Sequence, residues 1–218
     1  MKIQVALLQM KGSMVKQEAW KKTEQMVKEA AATGVELVVL PEMWNCPYAN
    51  QYFAPFSEEE GGETYQLMSR LARENGIHLV GGSIPERQGD RVYNTSFFFD
   101  EAGNLLGKHR KAHLFDIHVP GKIAFMESET LTPGDSATII DTKFGKIGLA
   151  ICYDVRFPEL FRKMALSGAQ AIILPAAFSV PTGEAHWEIS LRARALDNQV
   201  YVLACSPSRA LEGPYQAY

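Results

Sequence analysis

Three observations predict an α/β protein made of two pseudo-equivalent halves. Short apolar runs of strand length alternate with amphipathic helical stretches, a pattern that yields a mostly parallel sheet carrying helices. The segment Gly168-Ala169-Gln170-Ala171-Ile172-Ile173-Leu174-Pro175 parallels Gly34-Val35-Glu36-Leu37-Val38-Val39-Leu40-Pro41. Cys152 stands where a buried strand hands over to a tight polar turn, followed by a helix opening around Pro158. A cysteine at such a junction sits near helix-terminal amides that favour its thiolate, so the chain reads as a thiol-dependent hydrolase.

Residues 2–9 predict a first strand, apolar on both faces as in the interior of a sheet. Ser13 predicts the N-cap of a helix running to about Ala32, with Trp20, Thr23, Val27 and Ala30 or Ala31 at helical spacing, and Gly34 ends it. Residues 36–40 read as the second strand, which Pro41 terminates for want of an amide hydrogen. An aromatic-rich loop over 44–56 leads to a helix over 63–75, then to a third strand at 77–80 closed by Gly81 and Gly82. Residues 91–99 and 105–110, joined by Asp100-Glu101-Ala102-Gly103-Asn104, predict an antiparallel hairpin. A long irregular stretch over 112–134 follows, and loops of that length are usually functional.

From Ala137 the chain begins again. Residues 147–151 echo the first strand, 159–166 supply a helix, 168–175 repeat the strand-Pro unit, and a helix over 184–197 precedes a strand at 199–204. Each half thus runs strand, helix, strand-Pro, helix, strand. In the first half a hairpin follows the third strand, whereas only thirteen residues follow Cys205. The expectation is one domain over 1–218 that lacks its C-terminal hairpin and tail, leaving an open sheet edge.

The 22 basic and 25 acidic residues give a net charge of −3, and nothing in that balance advertises nucleic acid. The apolar runs are strand-sized, so no helix is expected to span a membrane. Three cysteines without a C-x-x-C pattern argue against a disulfide scaffold or structural zinc. A reducing compartment, the cytoplasm, is the expected location.

The candidate chemistry lies at strand ends, where ligands gather in α/β proteins. Glu42 follows Pro41, Lys111 follows the hairpin and Cys152 follows Ile151. An acid, an amine and a thiol suffice to hydrolyse a carbon–nitrogen bond: the thiol attacks, the acid carries protons and the ammonium stabilises the oxyanion. Cys46 and Cys205 fit a structural role better. As strand-rim residues, Glu42 and Lys111 are expected to contribute little to the core.

These residues resemble the nitrilase, or carbon–nitrogen hydrolase, superfamily. LPEMW at 40–44, HRKAHLFD at 109–116 and ICYDVRFPEL at 151–160 look like its Glu, Lys and Cys motifs in order. The run RKAHLFDIHVPGKIAFMESETLTPGDS at 110–136, GGSIPE at 81–86 and TGEAHWE at 182–188 are most similar to the omega-amidase branch. The resemblance implies a nitrilase-type α-β-β-α sandwich that deaminates monoamides of short dicarboxylic acids, 2-oxoglutaramate (α-ketoglutaramate) foremost. Related targets are deaminated glutathione and N-carbamoyl acids.

By that resemblance Cys152 is the nucleophile and Glu42 the general base. Lys111 holds the oxyanion with the backbone N–H of Tyr153, and Glu127 orients Lys111 and the amide. Arg156 is the first candidate for the far carboxylate of the substrate, because guanidinium binds carboxylate in bidentate fashion. Tyr48, Phe178 and Thr182 are candidate walls and donors. Small-molecule amide and water are the expected partners, with a homodimer or larger homo-oligomer as the assembly.

Competing readings are weaker. His109, His113 and His118 with Asp116 lack any H-E-x-x-H framework, and the first two lie in a basic run that repels a divalent cation, so no metal is expected. No G-x-G-x-x-G or G-x-x-x-x-G-K-[ST] motif supports a nucleotide cofactor, and no cofactor is expected. Ala150 and Asp154 occupy the positions where a nucleophile elbow needs glycines. An isochorismatase-like cysteine hydrolase has no place for the 91–110 hairpin. A catalytically impaired binding protein on the same scaffold is the rival from another class.

Overall fold

The computed structural model describes residues 2–119, 123–209 and 215–218. The first half runs β1 (Val5–Leu7), α1 (Lys16–Ala31), β2 (Leu37–Val39), α2 (Asn50–Phe56), α3 (Glu63–Asn75), β3 (His78–Val80), β4 (Ile84–Gln88), β5 (Arg91–Phe99) and β6 (Leu105–Arg110). A small hairpin, β7 (Asp116–Val119) with β8 (Ile123–Met126), leads into the second half. That half comprises β9 (Thr138–Thr142), β10 (Gly145–Leu149), α4 (Pro158–Leu166), β11 (Ala171–Pro175), α5 (Val180–Asn198) and β12 (Tyr201–Cys205).

Apart from the two-stranded β7–β8 hairpin, the strands form two sheets, one in the order β1-β2-β3-β5-β4 with β6 also on β5, the other β12-β11-β10-β9. Strand period-two alternation stacks them into four layers. In β2 and β5, Val38, Phe97 and Phe99 face α1 and α3, while Leu37, Val39 and Phe98 turn inward. In β11, Ile172 and Leu174 face α4 and α5 and Ile173 turns inward. Ile140, Ile147 and Leu149 complete the layer between the sheets. The result is an α-β-β-α sandwich.

Several local expectations are corrected by the packing. The first strand is three residues long and lies at the edge of its sheet, with Leu7 39% exposed. Its two apolar faces arise because a sandwich covers both sides of a strand, whatever its lateral position. Ser13 is not the N-cap of α1, which starts at Lys16 behind Val15. Its hydroxyl accepts from the Val15 N–H at 3.0 Å and donates to Glu18 at 2.9 Å, bracing the approach to the helix. The aromatic loop contains α2, and the stretch 112–134 contains the β7–β8 hairpin. Pro120 and Gly121, read as part of an irregular loop, lie outside the described residues. The hairpin expected over 91–110 has a further strand, β4, whose residues Ile84–Gln88 pair along the other side of β5. Among the described residues β12 pairs only with β11.

Candidate active site

Glu42, Lys111 and Cys152 all lie just beyond strand ends on one rim of the sandwich. Glu42 emerges three residues after β2, and its backbone N–H meets the carbonyl of Ala176 at 3.5 Å, three residues after Ile173 of β11. The next residue, Met43, has a left-handed φ of 50°, rare for a side chain with a Cβ. Cys152 opens a 3₁₀ turn, Cys152–Arg156, with φ of 45°, in the same strained region. Lys111 is anchored by its backbone, donating to Asn94 and accepting from Gly134, each at 2.8 Å.

The structure brings the predicted acid and amine into direct contact. Lys111 Nζ lies 2.9 Å from Glu42 Oε1 and 2.9 Å from Glu127 Oε2, with all three side chains fully buried. Burial alone would lower the Lys111 pKa, but the Glu127 and Glu42 carboxylates reverse that and hold it well above the usual lysine value. Burial raises the Glu127 pKa against the pull of Lys111, and Glu42 adds repulsion. Cys152 is 5% exposed, and burial pushes its thiol well up, with the Glu42 charge second. Lys111 and a backbone hydrogen bond from Ala177 oppose this. The resting group is therefore a thiol that needs a base to become a nucleophile.

These burials correct one expectation. Although they lie at the rim, Glu42 and Lys111 are both buried, and removing Lys111 would strand two carboxylates in the interior.

The remaining predicted residues divide. Tyr153, Arg156, Phe178 and Thr182 share a narrow cleft with Cys152, about 10 Å³, the space of one water molecule. Arg156 reaches His186 Nδ1 at 2.9 Å and stands 6.0 Å from the Phe178 ring. Tyr48 is not in that cleft. Its hydroxyl donates to Glu127 Oε1 and lies 3.3 Å from Glu42 Oε1, inside the charged cluster. A larger cavity, about 230 Å³, is lined by Glu42 and Tyr48 but not by Cys152. The nucleophile decides between them, so the narrow cleft is the candidate reaction site.

Sequence reasoning missed four participants. Asn94 donates to Glu42 Oε1 at 2.8 Å, and its signal was a lone amide inside the apolar strand β5. The Phe115 N–H donates to Glu127 Oε2 at 2.6 Å, a main-chain contact without a sequence signature. Tyr215 donates to the Ala177 carbonyl at 2.6 Å and packs on Tyr48 with ring centroids 4.7 Å apart. Asp154 accepts from both His109 and His113.

With this geometry in place, comparison with known proteins is decisive. The carbon-nitrogen hydrolase family model matches residues 4–218. This chain belongs to the carbon-nitrogen hydrolase family. Omega-amidase NIT2-B of Xenopus laevis is 50% identical over 100% of this chain and 79% of that protein. Omega-amidase NIT2 of Mus musculus is 49% identical over 98% of this chain and 78% of that protein. The crystal structure of Saccharomyces cerevisiae Nit3, described as a member of branch 10 of the nitrilase superfamily, superposes with a TM-score of 0.90. That match has 44% identity and covers 99% of this chain and 79% of the other. As a carbon-nitrogen hydrolase similar to omega-amidases, the protein is an amide-hydrolysing enzyme.

Proposed function

We propose that this carbon-nitrogen hydrolase is an omega-amidase, converting 2-oxoglutaramate and similar dicarboxylate monoamides to the dicarboxylate and ammonia through a Cys152 thioester. The observation that carries the chemistry is the buried Glu42–Lys111–Glu127 cluster beside a buried thiol. The similarity to omega-amidases supports the substrate class.

In this mechanism Glu42 takes the thiol proton as sulfur attacks the amide carbon. The oxyanion forms against the Lys111 ammonium and the Tyr153 N–H, and one such donor typically contributes about 3–4 kcal/mol to lowering the barrier. The C–N bond breaks as Glu42 returns its proton to the nitrogen, releasing ammonia. Water then attacks the thioester, giving its proton to Glu42, and the carboxylic acid leaves as the thiol is restored. Glu127 and Tyr48 keep Lys111 aimed. Arg156, with Thr182 and Phe178 beside it, receives the distal carboxylate after exchanging its His186 contact for the substrate.

The test mixes the protein with 2-oxoglutaramate and follows ammonia. Turnover by the wild type, its loss in Cys152→Ala and a raised KM in Arg156→Gln are expected. Ammonia release that survives Cys152→Ala would remove the thiol mechanism. We further propose a homo-oligomer in the cytoplasm. Exposed Leu166, Ile189 and Leu196 on α4 and α5 favour association, and sedimentation of a monomer at micromolar concentration would refute it.

A further inference from the structure

The two proposed oxyanion donors come from segments far apart in sequence. Lys111 lies in a loop leaving β6, and the Tyr153 N–H lies in the turn leaving β10. Three side-chain-mediated hydrogen bonds join these segments, and all end on one carboxylate. Asp154 Oδ2 accepts from His109 Nε2 at 3.0 Å, while Oδ1 accepts from the His113 backbone N–H at 2.9 Å and from His113 Nδ1 at 2.7 Å. Oδ2 also accepts from the Ile151 N–H at 2.9 Å, clipping the turn on the far side of Cys152. His109 and His113 flank Lys111 two residues to either side. The lysine loop thus wraps around the carboxylate, and the cysteine turn is pinned to the same point.

We propose that Asp154 is the positioning residue of the oxyanion site, fixing the Lys111 ammonium and the Tyr153 amide at one mutual separation through His109 and His113. The proposal rests on the reading of Cys152 as nucleophile and of those two groups as oxyanion donors. Four donors occupy the four acceptor directions of the carboxylate, so the joint has no free partner to trade. The Asp154 side chain is fully buried, and although burial alone would raise its pKa, the bonds from His109 and His113 hold it well below the usual carboxylate value. The Asp154 carboxylate is therefore ionised at neutral pH. Stacking of His113 on Phe157, centroids 3.6 Å apart, orients the outer histidine independently of the hydrogen bond.

Asp154→Asn keeps the shape but turns a donor toward one of the two donor pairs. Three rates separate the possibilities: ammonia release from 2-oxoglutaramate, the p-nitrophenol burst from p-nitrophenyl acetate, and alkylation of Cys152 by iodoacetamide read by intact mass. Alkylation uses the thiol but builds no oxyanion. In Asp154→Asn we expect kcat for ammonia release to fall about 10²-fold and the ester burst to slow with it. KM and the alkylation rate are expected to stay within about threefold of wild type. Alkylation falling in parallel with kcat, or kcat left unchanged, overturns the proposal.

If Asp154→Asn does not fold by circular dichroism, His113 supplies the test. His113→Leu keeps contact with Phe157 and loses the donor, and its kcat is expected to fall. His113→Asn restores an N–H at the Nδ1 position and should recover turnover to within about threefold. Equal activity in His113→Leu and the wild type, or no recovery in His113→Asn, overturns the proposal. The wild type distinguishes the two levels. A Cys152-dependent ester burst without ammonia release refutes the substrate class and leaves the joint to be read on the ester, while inertness to both refutes the joint along with the mechanism.

Discussion

The two halves of the sandwich repeat in the same register. Val5 pairs with Leu37 as Ile147 pairs with Ala171, and Leu37 pairs with His78 as Ala171 pairs with Tyr201. Gly34 and Gly168 both turn into their strands at positive φ, 83° and 96°. Counting along the equivalent strands places Met10 opposite Cys152 and Ala176 opposite Glu42. The backbone repeats and the chemistry does not. Equivalent strand ends meet across the rim, so an acid from one half and a thiol from the other can face one amide. Neither half holds the proposed machinery alone.

The largest expected effect tests that asymmetry. Cys152→Ala should lower turnover by about 10⁴-fold or more while leaving the thermal melt near that of the wild type. Met10→Ala, at the equivalent position, should leave the chemistry in place and cost about 2–5 kcal/mol of stability by denaturant titration, because Met10 is 1% exposed inside the helix-side core. Loss of turnover in a folded Met10→Ala would break the assignment of chemistry to one half.

Lys111→Met should abolish turnover and also destabilise the fold by about 3–5 kcal/mol, since Glu42 and Glu127 lose their shared cation. A urea midpoint equal to wild type would show that the cluster neutralises itself by taking up a proton.

Each half also buries a carboxylate whose pKa is lowered, which gives the next comparison. Burial alone would raise Glu86, but Arg110 and Lys108 pull it below 4.5, and Asp154 is held below 3.8 by His109 and His113. A carboxyl depressed in the fold contributes stability that is complete above its unfolded pKa and is lost as pH falls through its folded value. The stability gap between wild type and Glu86→Gln should therefore hold at pH 7 and shrink below about 4.5, and that for Asp154→Asn should shrink only below about 3.8, read from urea midpoints. A gap for either variant that widens on acidification would contradict the sign.

The smallest effect concerns strand packing. Gly148 occupies the position of Ala6, and a Cβ there would lie 2.8 Å from the thioether sulfur of Met164. The added Cβ would also lie 3.2 Å from Ile172 Cγ1, but methionine repacks readily, so Gly148→Ala should cost about 1 kcal/mol, the low end for overpacking and a shift of a few degrees in the melt. A larger loss would show that the two sheets accept side chains less alike than their register suggests.

Much of this was legible in the sequence. The helix read over 63–75 is α3, and the structure adds its stop, Gly76 at φ 61° in the C-cap. The hairpin β5–β6 was legible from its turn residues, with Asp100 accepting from the Ala102 and Asn104 backbone amides. The strand β4 and the hairpin β7–β8 were not, since their pairing depends on partners that local pattern does not name. At the site, glutamate, lysine and cysteine were visible as reactive residue types ending strands. Asn94 and the role of Tyr48 were not, because an amide in a strand and a phenol in a loop acquire meaning only from what they touch.

By itself the sequence determined the internal repeat, the strand ends and the residue types placed there, because periodicity and turn chemistry are local and act before any packing. Only the tertiary structure decided that Lys111 is a buried cation shared by two carboxylates, and that Asp154 ties its loop to the cysteine turn. Such contacts join residues up to 69 positions apart, and burial, which gives them their strength, is a property of the folded layers rather than of any segment.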